Sequence, residues 1–277
     1  MTHPAFNSES VATITGGASG IGLAAATRFA GMGMRVVVVD RSAEKLDMVD
    51  QALRGAGAAD VLTESTDVSD RSQITELEAN IAKKFGGTDI LMNNAGIGMR
   101  SSTIGPQDAW EATLGVNLWG PIHCTQVFAP RMIERGRPGL IVNTGSKQGI
   151  TTPPGNPAYN VSKAGLKTFT EALAHELRNT EGADISAHLL IPGFVHTGMI
   201  GAVEKPPAAW TAEQTVEFFI DSINQRDFYI LCPDNDVSRS LDEKRISWAV
   251  GDIIENRPAL SRWHPDYADA FAAHVKE

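Results

Sequence analysis

Over the first 190 residues, short apolar runs alternate with longer segments whose apolar positions recur every three to four residues. The runs predict strands at 11–15, 35–40, 61–66, 90–93, 140–144 and 185–191, with a seventh at 228–232. Helices are predicted between them at 21–32, 43–54, 71–85, 107–135 and 159–178. Val36-Val37-Val38-Val39 has no polar alternation, which marks a strand covered on both faces of a parallel sheet. Strand–helix alternation with right-handed crossovers implies an α/β fold: a doubly wound parallel sheet of about seven strands, with helices on both faces.

The segment 192–226 breaks this rhythm with Gly198, Gly201, Pro206 and Pro207, followed by a capping-box start at Thr211-Ala212-Glu213-Gln214. It is expected to form a loop and helix, about 194–226, that cover a ligand crevice past a strand's carboxyl end. Residues from about 233 to 277 form a C-terminal extension of the same single domain, since 277 residues suit one large α/β unit.

A net charge of −9, with 42% hydrophobic and 21% charged residues, argues against nucleic acid or an anionic membrane as partner. No apolar run approaches the roughly 18 residues that span a bilayer, and the first residues lack a secretory pattern. A cytoplasmic location is therefore expected. Cys124 and Cys232, each inside an apolar stretch, read as buried thiols, with no metal-ligand spacing around them.

The first expected strand runs directly into Thr15-Gly16-Gly17-Ala18-Ser19-Gly20-Ile21-Gly22, and a helix begins near Ile21. Strand, glycines and helix in that order form the dinucleotide-binding context, because glycines let backbone and helix N-terminus approach a pyrophosphate. The fold is then Rossmann-like. Asp40 closes the second strand, where an acid accepts hydrogen bonds from ribose hydroxyls and repels a 2′-phosphate. That favours NAD over NADP. Arg41 beside it could tolerate the phosphate, although a solvated surface arginine is the simpler account.

Tyr159 and Lys163 lie one helical turn apart, and Ser146 precedes the tyrosine by thirteen residues. Positions i and i+4 share a face, so an ammonium would lie beside a phenol and favour its phenolate. A tyrosine so placed can take or give a proton near neutral pH. A lone Tyr-x-x-x-Lys pair occurs on many solvated helices, but here further pieces accompany it.

With Asp67-Val68, Asn93-Asn94-Ala95-Gly96, Asn117 and Pro192-Gly193 followed by Thr197, the chain resembles the short-chain dehydrogenase/reductase family from residue 15 to residue 197. The glycine spacing, Gly-x-x-x-Gly-x-Gly, is that family's own. The resemblance implies that Asp67 and Val68 contact adenine, and that Asn94, Ala95 and Gly96 close the cofactor pocket. Ser19 stands where relatives preferring NADP often carry a cation. Val195 and Thr197, after Pro192 and Gly193, would hold the nicotinamide carboxamide. His196 occupies a variable position and reads as a loop residue.

By the same resemblance, Ser146 orients the substrate oxygen, Tyr159 transfers its proton, Lys163 tunes Tyr159 and holds the ribose, and Asn117 holds a proton-relaying water. Without the resemblance, Asn117 would read as a helix-surface amide. The expected activity is NAD-dependent interconversion of a secondary alcohol and a ketone. A nicotinamide-dependent epimerase or dehydratase, and a non-catalytic dinucleotide sensor, are the alternatives. The first usually needs a larger substrate domain, and the second commonly lacks the tyrosine or lysine. Met99, Ile150, Phe194, Met199 and Trp210 favour a bulky apolar or aromatic substrate. Lys147 would meet an acidic substrate group or, more simply, sit solvated on the rim.

The family is commonly a homo-oligomer, usually a tetramer or dimer. Near the C-terminus Trp263, Tyr267 and Phe271 recur every four residues, on a helix expected to start near His264 with Pro265 in its first turn. They either cover the chain's own sheet edge or cross to a neighbouring subunit.

Overall fold

The computed structural model describes residues 2–200 and 204–276; Gly201, part of the expected covering loop, lies outside the described residues. Seven parallel strands run β1 Val11–Thr15, β2 Arg35–Asp40, β3 Asp60–Ser65, β4 Ile90–Asn93, β5 Gly139–Thr144, β6 Ile185–Ile191 and β7 Tyr229–Leu231. Their order is β3-β2-β1-β4-β5-β6-β7. The chain reverses its direction of growth between β1 and β4, which opens a crevice at their carboxyl ends. Strand β7 keeps only the middle of the expected run.

The four valines of β2 explain the two-layer cover. Val36 and Val38 pack with α1 (Gly20–Ala30), α2 (Ala43–Gly55) and α8 (Ala212–Asn224), where Phe29 meets Phe219 edge-on at 6.4 Å. Val37 and Val39 point the other way, into a core built by α3 (Arg71–Phe85), α5 (Gly120–Arg135) and α7 (Pro157–Asn179). Period-two side-chain alternation in a strand apolar on both faces produces this split.

The helix expected over 107–135 is interrupted. It comprises α4 (Asp108–Leu114), a π-helical stretch at Gly115–Trp119, and α5. A π-helical turn carries one extra residue and shifts the faces that follow. Here it turns Asn117 wholly inward and lays Gly120 on Val68, where a Cβ would come within 2.9 Å of a Val68 methyl. A four-residue helix, α6 (Gln148–Thr151), follows β5.

The C-terminal extension contains a helix that the apolar pattern missed, α9 (Arg239–Ile254). Its Ile246 packs on the apolar cluster of β6 and β7, while Trp248 receives the tail. Around Trp248 stand Phe271 edge-on at 5.4 Å, His274 at 5.3 Å and the Arg257 guanidinium at 4.0 Å over the ring. Its indole N–H donates to Ser261 Oγ at 2.8 Å. The helix expected from His264 is instead two 3-10 turns, Ser261–Trp263 and Pro265–Tyr267, before α10 (Ala268–His274). Leu260, with φ +58°, and the His264 ring, which accepts from the Asp266 amide, set those turns. Phe271 thus reaches Trp248, whereas Trp263 stays 39% exposed under the Arg262 guanidinium. Among the described residues, no helix is long and apolar enough to cross a membrane.

Trp248 is the anchor of this extension. Replacing it with alanine is expected to cost about 3–5 kcal/mol in denaturant unfolding, the usual range for a buried aromatic, and to render residues 259–276 susceptible to limited proteolysis.

Candidate active site

At the end of β1 the backbone turns through Gly16 (φ +63°) and Gly20 (φ +54°), both in the left-handed region. A Cβ on Gly22 would lie 2.3 Å from the Gly16 carbonyl and 2.6 Å from Asn94 Nδ2, so turn, helix and the post-β4 loop touch. Asn94 Nδ2 donates to the carbonyls of Thr15 and Gly16 at 3.2 and 3.3 Å. Thr15 Oγ1 accepts from the amides of Asn94 and Ala95. Ser19 stands at the N-cap of α1, exposed, and its hydroxyl caps no amide. The first-turn amides beside Ile21 therefore remain available to a ligand, and this cradle fits a dinucleotide pyrophosphate.

Asp40 reaches the same turn. One carboxylate oxygen accepts from the Ala18 amide at 3.3 Å and the other from the Ser42 amide at 3.1 Å. Arg41 points into solvent. Asp67 closes its own turn, accepting from the Ser69 amide and hydroxyl, while Val68 is buried beneath Gly120. Across the crevice, Thr197 lies against Gly20, where a Cβ would be 3.1 Å from its methyl. Val195 pairs with Trp210 in a β-bridge, and the His196 amide donates to the Trp210 carbonyl at 2.8 Å. Trp210 thereby straps the post-β6 loop and packs edge-on against Phe218.

Helix α7 carries Tyr159 and Lys163. The Ser146 hydroxyl faces the phenol of Tyr159. The Ser146 oxygen also accepts from the Gln148 amide at 3.1 Å, the first turn of α6. Lys163, only 4% exposed, donates to the Thr144 carbonyl at 2.7 Å. Its Nζ stands 5.7 Å from the centre of the Tyr159 ring. Burial lowers the Lys163 pKa to about 8. Burial also raises the phenol of Tyr159, and the Ser146 hydrogen bond only partly offsets it. The lowering anticipated from the i,i+4 pairing is thus not what the polypeptide alone produces: desolvation outweighs it.

Asn117 is no surface amide. Its Oδ1 accepts from the Ile97 amide at 2.8 Å and its Nδ2 donates to the Ile97 carbonyl at 2.9 Å, which clamps the loop beyond Gly96. The π-helical turn is what brings it there. Ser162, next to Lys163, lies 3.4 Å from the same Nδ2.

A model of the short chain dehydrogenase family matches residues 10–208. The chain belongs to this family. It is 39% identical over 199 residues to a 3-oxoacyl-(acyl-carrier-protein) reductase of Thermotoga maritima, covering 71% of this chain and 77% of that one. A short-chain dehydrogenase/reductase of Burkholderia phymatum, solved with NAD, superposes with a TM-score of 0.82 at 31% identity, over 91% of this chain and 96% of that one. A metagenomic short-chain oxidoreductase solved with NADP gives 0.68 at 27% identity, over 82% and 98%. The protein is accordingly an oxidoreductase of the short-chain dehydrogenase family with the Rossmann-like doubly wound sheet.

Against that family framework, Lys147 is the residue most misjudged from sequence. It is neither a solvated rim lysine nor open to an acidic substrate. Its ammonium lies 2.6 Å from Asp242 and 3.3 Å from Asp234, two carboxylates of the C-terminal extension that are almost fully buried. Neither acid was anticipated as part of the site. The available signal was Ser238 followed by Leu241, Arg245 and Trp248 at helical spacing, which places Asp242 in the first turn of α9. A cavity of about 780 Å³ between α1 and α8 has Gly20, His196 and Thr197 in its wall, but not Ser146, Tyr159 or Lys163. It adjoins the crevice at the glycine turn.

The buried Lys163 generates a pH prediction. Its pKa falls from 10.5 unfolded to about 8 folded, so between those values the unfolded chain binds the extra proton and stability rises with pH. Across pH 8 to 10 the free energy of unfolding should gain up to about 3 kcal/mol at 1.36 kcal/mol per unit, seen as a rising thermal midpoint, and Lys163→Met should abolish that rise.

Proposed function

We propose that the protein is an NAD-dependent dehydrogenase interconverting a secondary alcohol and a ketone, with Ser146, Tyr159, Lys163 and Asn117 as its proton-handling set. The observation that carries this reading is the convergence of Ser146, Tyr159 and the buried Lys163 ammonium at the carboxyl end of β5 beside the glycine turn. Nicotinamide dinucleotide, when bound, accepts or gives the hydride. Gly16, Ser19, Gly20, Ile21 and Gly22 would hold its pyrophosphate, Asp40 and Arg41 its adenosine ribose, and Asp67 and Val68 its adenine. Asn94, Ala95 and Gly96 would floor the pocket, and Pro192, Gly193, Val195 and Thr197 would flank the nicotinamide.

The chain's own residues then divide the proton work. Ser146 donates to the substrate oxygen and holds it against the tyrosine. Tyr159, whose phenol burial favours, gives its proton to a forming alkoxide in reduction and takes one from the alcohol in oxidation. Lys163, protonated near neutral pH because its pKa is about 8, stabilises the phenolate that reduction leaves behind and that oxidation starts from. Asn117 fixes the loop at Ile97 that borders this space. Exposed Met99, Phe194 and Met199 cluster on the loops around it, with Met199 packed over Gly96 and Gly98, which favours an apolar or aromatic substrate.

Tyr159→Phe is expected to lower turnover by ~10²–10⁴-fold, the share general acid–base catalysis supplies, with the dinucleotide dissociation constant essentially unchanged. Steady-state kinetics and fluorescence titration measure both, and turnover above a tenth of wild type would refute the assignment. Cofactor choice is tested separately: the unaltered protein should show higher kcat/KM with NAD than with NADP, and Asp40→Ser should narrow or reverse that ratio. A wild-type preference for NADP would mean that Arg41 governs the ribose site.

A further inference from the structure

The ion pairs of Lys147 join three segments that are far apart in sequence. Lys147 directly follows Ser146, and the Gln148 amide just beyond it holds the serine oxygen. Asp234 accepts from Lys147 and, through the same oxygen, from the Phe194 amide at 3.1 Å. Its other oxygen accepts from the amides of Asp236 and Val237. Asp242, from the first turn of α9, closes the junction at 2.6 Å. Gly193 is pressed into the cluster so tightly that a Cβ there would lie 2.7 Å from Asp234 and 2.9 Å from the lysine nitrogen.

We propose that Lys147 is a positioning residue that locks the Ser146 loop and the 193–197 loop into one unit anchored on α9. The C-terminal extension thereby becomes part of the active site although it touches no reactant. Burying three charged groups is a poor route to stability, because desolvation offsets their attraction. The packing supports this: a cavity of about 50 Å³, walled in part by Arg245 and Arg262, remains beside the lysine. What a fixed cation between two carboxylates supplies is direction. It sets the spacing between the group that holds the substrate oxygen and the loop that flanks the nicotinamide. A misplacement of about 1 Å between such groups can cost ~10²-fold in rate.

This inference rests on the roles proposed for Ser146 and the 193–197 loop, so its test includes a reading that needs neither cofactor nor substrate. Lys147→Met, Lys147→Arg and Asp242→Asn are compared with wild type below all four thermal midpoints. In the cofactor-free protein, Lys147→Met should speed amide hydrogen exchange at 193–197 and 146–150 several-fold, while β1 and α1 stay unchanged. With cofactor and substrate, it should lower kcat by ~10–100-fold and weaken dinucleotide binding several-fold. Lys147→Arg, which keeps the cation, should recover most of the lost turnover. Asp242→Asn, which keeps the shape, should act in the same direction but less. A lower thermal midpoint with unchanged exchange in those loops would overturn the proposal and leave the cluster a stabilising element only. Changed exchange with unchanged kcat would equally overturn it, since the loops would then be coupled without consequence. Failure of wild type to bind dinucleotide would refute the functional reading instead, and the cofactor-free exchange would still decide the coupling.

Discussion

A lysine ammonium held almost out of water against the carbonyl of Thr144 constrains everything near it. Such a group cannot sit in an apolar core without a strong acceptor, and the end of a parallel strand offers one whose ladder has just stopped. The hydrogen bond therefore ties α7 to the last residue of β5. Ser146 lies two residues beyond that carbonyl and Tyr159 one helical turn before the ammonium. Fixing Lys163 fixes both, and the three cannot drift independently.

The same logic recurs deeper in the layer. Asn93 of β4 donates to Asn143 of β5 at 2.8 Å, and Asn143 donates to Thr170 of α7 at 2.9 Å. This buried polar chain runs parallel to the Lys163–Thr144 contact and sets the register of the helix against two strands. Partly satisfied networks are costly, so they tolerate few arrangements. On the opposite side of the crevice, the glycine turn achieves a comparable precision by contact instead, with no Cβ to spare between Gly22 and Gly16.

The sheet was legible because parallel strands buried on both faces leave unbroken apolar runs, as Val36–Val39 does, and because glycine spacing reports backbone contacts directly. Ser146, Tyr159 and Lys163 were picked out as candidates by the i,i+4 spacing of the last two and by the family resemblance. What stayed hidden were effects of the third dimension. Nothing in the periodicity of 107–135 betrays a π-helical turn, and what it achieves, the Asn117 clamp on the Ile97 backbone, joins positions 20 residues apart. The phenol of Tyr159 was expected to be lowered by its neighbour, but pKa depends on burial, which spacing does not report. Lys147 read as a surface residue because its partners lie 87 and 95 positions away, Asp234 in a loop and Asp242 on a helix whose apolar stripe is weak.

The glycine turn has one further consequence. Asn94 fastens the carbonyls of Thr15 and Gly16, and Asp40 holds the Ala18 amide, through hydrogen bonds within the chain itself. The loop that would wrap the phosphates is thus ordered by folding itself, and little conformational entropy remains to be lost when the ligand arrives. Binding at this half of the crevice should therefore resemble docking to a rigid mould, with association governed by diffusion and electrostatics and with residence time reporting the quality of the contacts.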